Sequence, residues 1–269
     1  MLIPEGFLFS GISCGIKEEN KIDLGLIFSS EKLTVWGMFT TNTVKAVPVV
    51  LSRKFIKEEQ IHGVVANSGI ANACTGEEGF KRALTLLKKI AEKLNISYKN
   101  LLPASTGVIG EQLPLEKILP HIDTLISNLS NQNYIQFAKA IMTTDTFPKV
   151  VFRKTEEGII ILGIAKGAGM IAPNMATMLA FILTDARVSK DYLKKQFPKI
   201  VEQSFNRISV DGDISTNDAV YMLCSNLKEV KNWKNFNKLC LEVAKELAYL
   251  IIKDGEGASK IIKIIIKGA

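Results

Sequence analysis

Seven short apolar segments set the fold class of this chain. They are DLGLIFS (23–29), LTVWGMFT (33–40), HGVVANS (62–68), GIIILGIA (158–165), TMLAFILT (177–184), DAVYMLC (218–224) and SKIIKIIIK (259–267). Each has the length and the β-branched or aromatic enrichment of a strand. Two amphipathic helices lie between them. Over 77–95, Phe80, Leu84, Leu87, Ala91 and Leu94 recur at helical spacing, and over 231–253 Phe236, Cys240, Val243, Leu247 and Leu250 do the same. Two more helices are expected at 131–142 and 189–205, the second capped by Ser189 and kinked or shortened by Pro198. No linker rich in Pro, Gly or Ser divides the chain, and no internal repeat is present. The pattern predicts a single α/β (α+β) domain over 1–269, with mixed sheets covered by helices.

Composition narrows the function. The formal net charge is +7, but Lys is mixed with Glu, Asp and apolar residues, as in KRALTLLKKIAEKL, and no run of five or six like charges occurs. This reads as solvated helix faces and an anionic small substrate, not as a nucleic-acid stripe. The four cysteines (14, 74, 224 and 240) form no CxxC pair, and His62 and His121 are the only histidines, so zinc-site spacings are missing and no metal is expected. The N-terminus lacks a basic region before its apolar residues, and no apolar run reaches membrane-spanning length. A cytoplasmic protein with no nucleic-acid or membrane partner is expected.

The stretch KGAGMIAPNMATMLAFILTDA (166–186) raises two chemical readings. GAGMIA fits the dinucleotide fingerprint G-x-G-x-x-A, with Asp185 near the expected distance. That motif needs a crossover helix after the glycines, and Pro173 with the apolar run from Met178 leaves no room for one. The second reading concerns Thr177. A threonine becomes a good nucleophile when it is the first residue of a chain, because its α-amine (pKa about 8) takes the hydroxyl proton. An internal threonine reaches that state by cleavage of the preceding bond, and Gly167, Gly169, Pro173 and Ala176 supply the small, bent approach this requires. Taken alone, the stretch also reads as the start of a buried strand, where β-branching is reason enough for Thr.

Seven motifs widen the view: GMFTTNTVKAVPV (37–49), NSGIANACTG (67–76), STGVIGEQLP (105–114), TTDTFPK (143–149), KGAGMIAPNMATML (166–179), DGDISTND (211–218) and DGEGASK (254–260). In this order they resemble the ornithine acetyltransferase (bifunctional glutamate N-acetyltransferase) family of arginine biosynthesis, over essentially the whole chain. The resemblance implies a layered αββα-like architecture of the self-cleaving N-terminal-nucleophile type. It implies cleavage between Ala176 and Thr177 into an α chain, 1–176, and a β chain, 177–269. Thr177 is then the nucleophile that takes acetyl from N-acetylornithine and passes it to glutamate. Thr106 and Gly107 correspond to the oxyanion hole, and Thr143, Lys166, Thr177 and Glu256 to substrate-binding positions. No cofactor is implied, although acetyl-CoA serves some members as donor, and the assembly implied is a heterotetramer of two α and two β chains.

DGDISTND reads as turn and capping chemistry, not as a metal cluster of Asp211, Asp213 and Asp218. NSGIANACTG reads as a structural loop near the site, and Cys74 within it has no histidine partner to make it a nucleophile. Ile70, Ile214 and Ser259 depart from the family pattern at positions without a chemical role. Family members also continue past DGEGASK, so the C-terminal part is expected to be missing here. Two other readings stand beside the transferase: a self-cleaving N-terminal-threonine hydrolase of the aminopeptidase kind, and an inactive, truncated binding module.

Overall fold

The computed structural model describes residues 3–18, 20–57, 60–172 and 178–268. The strands are β1 (Leu8–Ile12), β2 (Leu24–Phe39), β3 (Ile61–Ile70), β4 (Leu101–Val108), β5 (Lys149–Lys154), β6 (Ile160–Lys166), β7 (Leu179–Ala186) and β8 (Ala219–Lys228). The helices are α1 (Val47–Phe55), α2 (Gly76–Leu94), α3 (Leu115–Ile118), α4 (Ile122–Ser127), α5 (Tyr134–Ala140), α6 (Lys190–Glu202) and α7 (Trp233–Lys253).

The strands form one mixed sheet in the order β4-β3-β2-β8-β7-β6-β5, with β1 also paired to β2. β3–β4 and β7–β8 are parallel and the other pairs antiparallel. β2 joins the two halves. Its first part, Leu24–Leu33, pairs with β3, and its second, Thr34–Phe39, pairs with β8. The two segments read as separate strands at 23–29 and 33–40 are therefore one strand. The polar residues between them, Ser30 to Lys32, mark a register irregularity with β3 rather than a turn.

Alternation along β6, β7 and β8 sorts their side chains between two cores. Leu162, Ile164, Phe181, Tyr221 and Leu223 face a core shared with β1–β4 and with α1, α2, α4 and α5. In it Phe181 stacks on Tyr221 with centroids 5.6 Å apart and meets Phe137 of α5 edge-on at 5.2 Å. Ile161, Ala165, Ala180, Ile182, Val220 and Met222 face the opposite way, against α6 and α7. Burying each large aliphatic or aromatic side chain contributes about 1.5–3 kcal/mol. The result is helix, sheet half, shared core and second sheet half with its helices, as expected of a helix-covered mixed sheet.

The helical stripe of α7 is buried as its spacing predicts, from Phe236 through Cys240, Val243 and Leu247. In α2 the fully buried face is turned to Ala83, Leu86, Leu87, Ile90 and Ala91, with Phe80, Leu84 and Leu94 at its margin. Ser189 caps α6 by accepting the Tyr192 N–H, and the helix ends at Glu202, short of the expected 205. The tail is different. SKIIKIIIK forms no strand: 258–268 has no regular structure, and Ile262, Ile264 and Ile266 are 82%, 80% and 77% exposed. A strand is made by its neighbour's hydrogen bonds, and the apolar pattern alone supplied none. No helix of the described residues is long and apolar enough to cross a membrane.

Candidate active site

The segments that leave β4 and β6, enter β5 and β8 and follow α7 meet at one end of the sheet. There a pocket of about 560 Å³ is lined by Thr106, Gly107, Thr143, Lys166 and Glu256, among others. Five positions scattered over 150 residues of sequence are thus neighbours in space. Ala176 and Thr177 lie outside the described residues. Ala172 and Met178, on either side of them, are both buried, and the Met178 N–H donates to Asp218 Oδ1 at 2.9 Å.

Gly107 is glycine for a steric reason. Its φ is +131°, and a Cβ there would lie 2.2 Å from the carbonyl carbon of Gly69 on the parallel neighbour β3. Beside it, Thr106 is buried, and its hydroxyl oxygen accepts from Lys166 Nζ at 3.3 Å. The hydroxyl hydrogen of Thr106 is thereby left to donate elsewhere. Ser105 donates to Asn67 Oδ1 at 2.6 Å, while Asn217 Nδ2 donates to the carbonyls of Ala71 and Ser105. NSGIANACTG, expected as a loop, is the end of β3 over Asn67–Ile70 and a loop only from Ala71 to Thr75, and it holds STG in place. Ile70, Ile214 and Ser259 do not line the pocket.

Lys166 is 2% exposed, and burial pushes its ammonium below the ordinary lysine range, against the pull of Asp145, Asp218 and Glu256. Asp145 sits behind it. Burial alone would raise this carboxyl, but Lys166, Lys149 and the Gly167 N–H together hold it below the usual carboxylate range. The same carboxylate accepts the Gly167 N–H at 2.7 Å and the Thr143 N–H at 3.1 Å. Lys149, fully buried at the start of β5, bridges Asp145 at 2.7 Å and Asp254 at 2.6 Å. Asp254 in turn accepts from the backbone and hydroxyl of Thr146. One buried ionic cluster thus binds together TTDTFPK, KGAG and DGEG. Glu256 N donates to the Ala168 carbonyl at 2.7 Å, and its carboxylate lies over Gly169, 2.6 Å from where a Cβ would stand.

Asp211 behaves as a cap. Its carboxylate accepts the N–H groups of Met170, Ile171 and Asp213, closing the glycine stretch against the 211–218 loop. Residues 167–172 hold no helix, and β7 begins at Leu179. Cys14, Cys224 and Cys240 are buried thiols, and Cys74 is exposed. Burial, with the charge of Asp23, pushes the Cys14 thiol up to about 12.

Four residues of this neighbourhood were given no role from the sequence, although Asp145 and Lys149 lie in TTDTFPK and Asp254 opens DGEGASK. Lys149, Asp145 and Asp254 depend on partners up to 105 positions apart. Lys17, which lines the pocket, stands in an unremarkable GIKEE context. Asp218 was legible only as a turn residue, yet it is almost fully buried, and its Oδ2 has no hydrogen-bond partner among the described residues.

Comparison with known proteins agrees with this arrangement. The ArgJ family model matches residues 8–269. The "arginine biosynthesis bifunctional protein ArgJ" of Thermotoga neapolitana is 47% identical over 281 residues, covering 100% of this chain and 70% of the relative. That of Lactococcus lactis is 43% identical over 99% of this chain and 69% of its own length. Among solved structures, the ornithine acetyltransferase of Mycobacterium tuberculosis in complex with ornithine superposes with a TM-score of 0.61 and 33% identity, over 65% of this chain and 93% of that one. The chain spans about 70% of the length of these curated relatives. Match, identity and the gathering of the motif residues around one pocket lead to one conclusion: the chain belongs to the ArgJ family.

Proposed function

We propose that this chain is an acyltransferase of arginine biosynthesis that moves an acetyl group from N-acetylornithine to glutamate through an acetyl-threonine intermediate. The observation that carries this reading is the convergence of Thr106, Gly107, Thr143, Lys166 and Glu256 on one pocket. In this reading the bond between Ala176 and Thr177 is cut first. The Thr177 hydroxyl oxygen then attacks the acetyl carbonyl, and its proton passes to the new α-amine. The oxyanion of the tetrahedral intermediate is met by the Thr106 hydroxyl and the Gly107 N–H. Collapse breaks the C–N bond, and ornithine leaves with the proton. The glutamate amine next attacks the ester, the C–O bond breaks, and Thr177 is regenerated.

Several features support this assignment. Lys166 donates to Thr106 Oγ1 and so leaves the threonine hydrogen for the oxyanion. Lys166 also offers a cation for a substrate carboxylate, and Glu256 an anion for an amine. Asp218 pins the residue that follows Thr177. The Mycobacterium tuberculosis protein gives further support: 65% of this chain accounts for 93% of that chain. The matched chain is therefore shorter than this one, as the product of a cut about two thirds of the way along would be. The reading includes a single domain, two α and two β chains, a cytoplasmic location, no metal or cofactor, and acetyl-CoA as an alternative donor.

Intact mass measurement tests it. The wild type should yield two pieces, with Thr177 at a new N-terminus, and Thr177→Ala should remain one chain and lose transfer. Transfer retained by Thr177→Ala would remove the nucleophile. Acetate release from N-acetylornithine in place of transfer to glutamate would favour the hydrolase.

A further inference from the structure

The pocket holds a second cation that no motif pointed to. Lys17 lines it together with Gly69 and Thr143. Its position is built from below. The buried carboxylate of Asp23 accepts the N–H groups of Cys14 at 2.7 Å, Ile16 at 2.7 Å and Lys17 at 3.1 Å, which fixes the 14–17 loop. Gly69, at φ +103°, clears its path: a Cβ there would come within 3.0 Å of Lys17 Cγ and 2.9 Å of Ile16 Cγ2. The stem therefore crosses β3 only because residue 69 has no side chain. At the far end Nζ donates to the Met142 carbonyl at 3.0 Å, beside Thr143.

An ammonium has three donors, and this contact uses one. Partial burial lowers the lysine's pKa, with Asp23 and Asp145 opposing and Lys21 and Lys166 adding to the effect, so the charge stands partly stripped of water at the pocket wall. Lys166, by contrast, is enclosed and engaged with Thr106. Two cations at different depths suit a ligand with two carboxylates. Of the two amino acids in the proposed exchange, glutamate has two, whereas ornithine has one carboxylate and a side-chain ammonium that Lys17 would repel.

Resting on the transferase reading above, we infer that Lys17 is a specificity-determining residue that binds the second carboxylate of the acidic acceptor amino acid. Calorimetric titration of the full chain with L-glutamate and with L-ornithine tests this. Lys17→Met should weaken glutamate binding about ten- to hundredfold, the effect of losing one charge-assisted hydrogen bond. It should not weaken ornithine binding, and Lys17→Arg should keep most of the glutamate affinity. In steady state the same variant should raise KM for glutamate with kcat nearly unchanged. If Lys17→Met does not fold, Lys17→Gln carries the same comparison. Unchanged glutamate binding overturns the inference. Equal weakening of both ligands also overturns it, and assigns Lys17 to holding the Met142 carbonyl. A wild type that binds neither amino acid removes the transferase reading and this inference together, an outcome distinct from both.

Discussion

At the scale of single residues, the carboxyl of Asp218 stands out for its placement. Oδ1 receives the Met178 N–H, and Oδ2 has no partner among the described residues. Burial pushes its pKa well above the ordinary carboxylate value, and the Met178 N–H, Lys166 and Ser215 only partly counter this. The folded state thus holds this proton more tightly than the unfolded chain does. A raised carboxylate contributes its full stability below the unfolded pKa, about 3.9, and loses it as pH rises through the folded pKa. Asp218→Asn has the same shape without the ionisation. Made in the Thr177→Ala background so that both proteins melt as one chain, it should raise Tm over its parent at pH 7 and match the parent near pH 4. Melting curves that stay parallel across this range would show that Asp218 is not held protonated.

At the scale of elements, Lys149 joins β5, the 143–146 loop and the end of α7 through Asp145 and Asp254. Removing one member of a buried ionic cluster leaves the others without compensation, which costs about 3–5 kcal/mol. Lys149→Met should lose about that much in chemical denaturation. Neutralising all three together, with Asp145→Asn and Asp254→Asn added, should restore part of it. Burial would raise both acids, but Lys149 helps to hold each below the ordinary range, so their contribution is present near neutrality and fades as pH falls through their depressed pKa values. Non-recovery in the triple variant would mean that the cluster provides more than charge balance. These pairs also mark how far the sequence can be read. Thr106, Gly107, Thr143, Lys166 and Glu256 were found because each sits in a contiguous motif. The members of the Lys149 cluster lie in two of the same motifs, TTDTFPK and DGEGASK, but their pairing was not legible, because it joins residues 105 apart and each charge taken singly reads as a surface charge. Strand existence was legible from apolar runs such as GIIILGIA. The continuity of β2 was not, since its polar middle, Ser30 to Lys32, has the composition of a turn.

At the scale of the molecule, the cut proposed above would fall between strands in the interior of the sheet. The Ile-rich tail misread as a strand lies outside it, while β6 and β7, on opposite sides of the proposed cut, pair from Ile161–Thr184 to Lys166–Leu179. β8, on the far side of β7, pairs in turn with β2. A cut between Ala176 and Thr177 therefore leaves two polypeptides woven through one sheet, with β7 and β8 enclosed by strands of the other chain. Folding of the intact precursor is unimolecular, because its two parts are tethered. After the cut the same docking becomes a meeting of two molecules, and its rate scales with their concentration. Refolding yield of the processed protein should fall on dilution from denaturant, and that of Thr177→Ala should not. Processing would then act as a kinetic ratchet: the two-chain molecule is assembled once, as one chain, and does not readily assemble again.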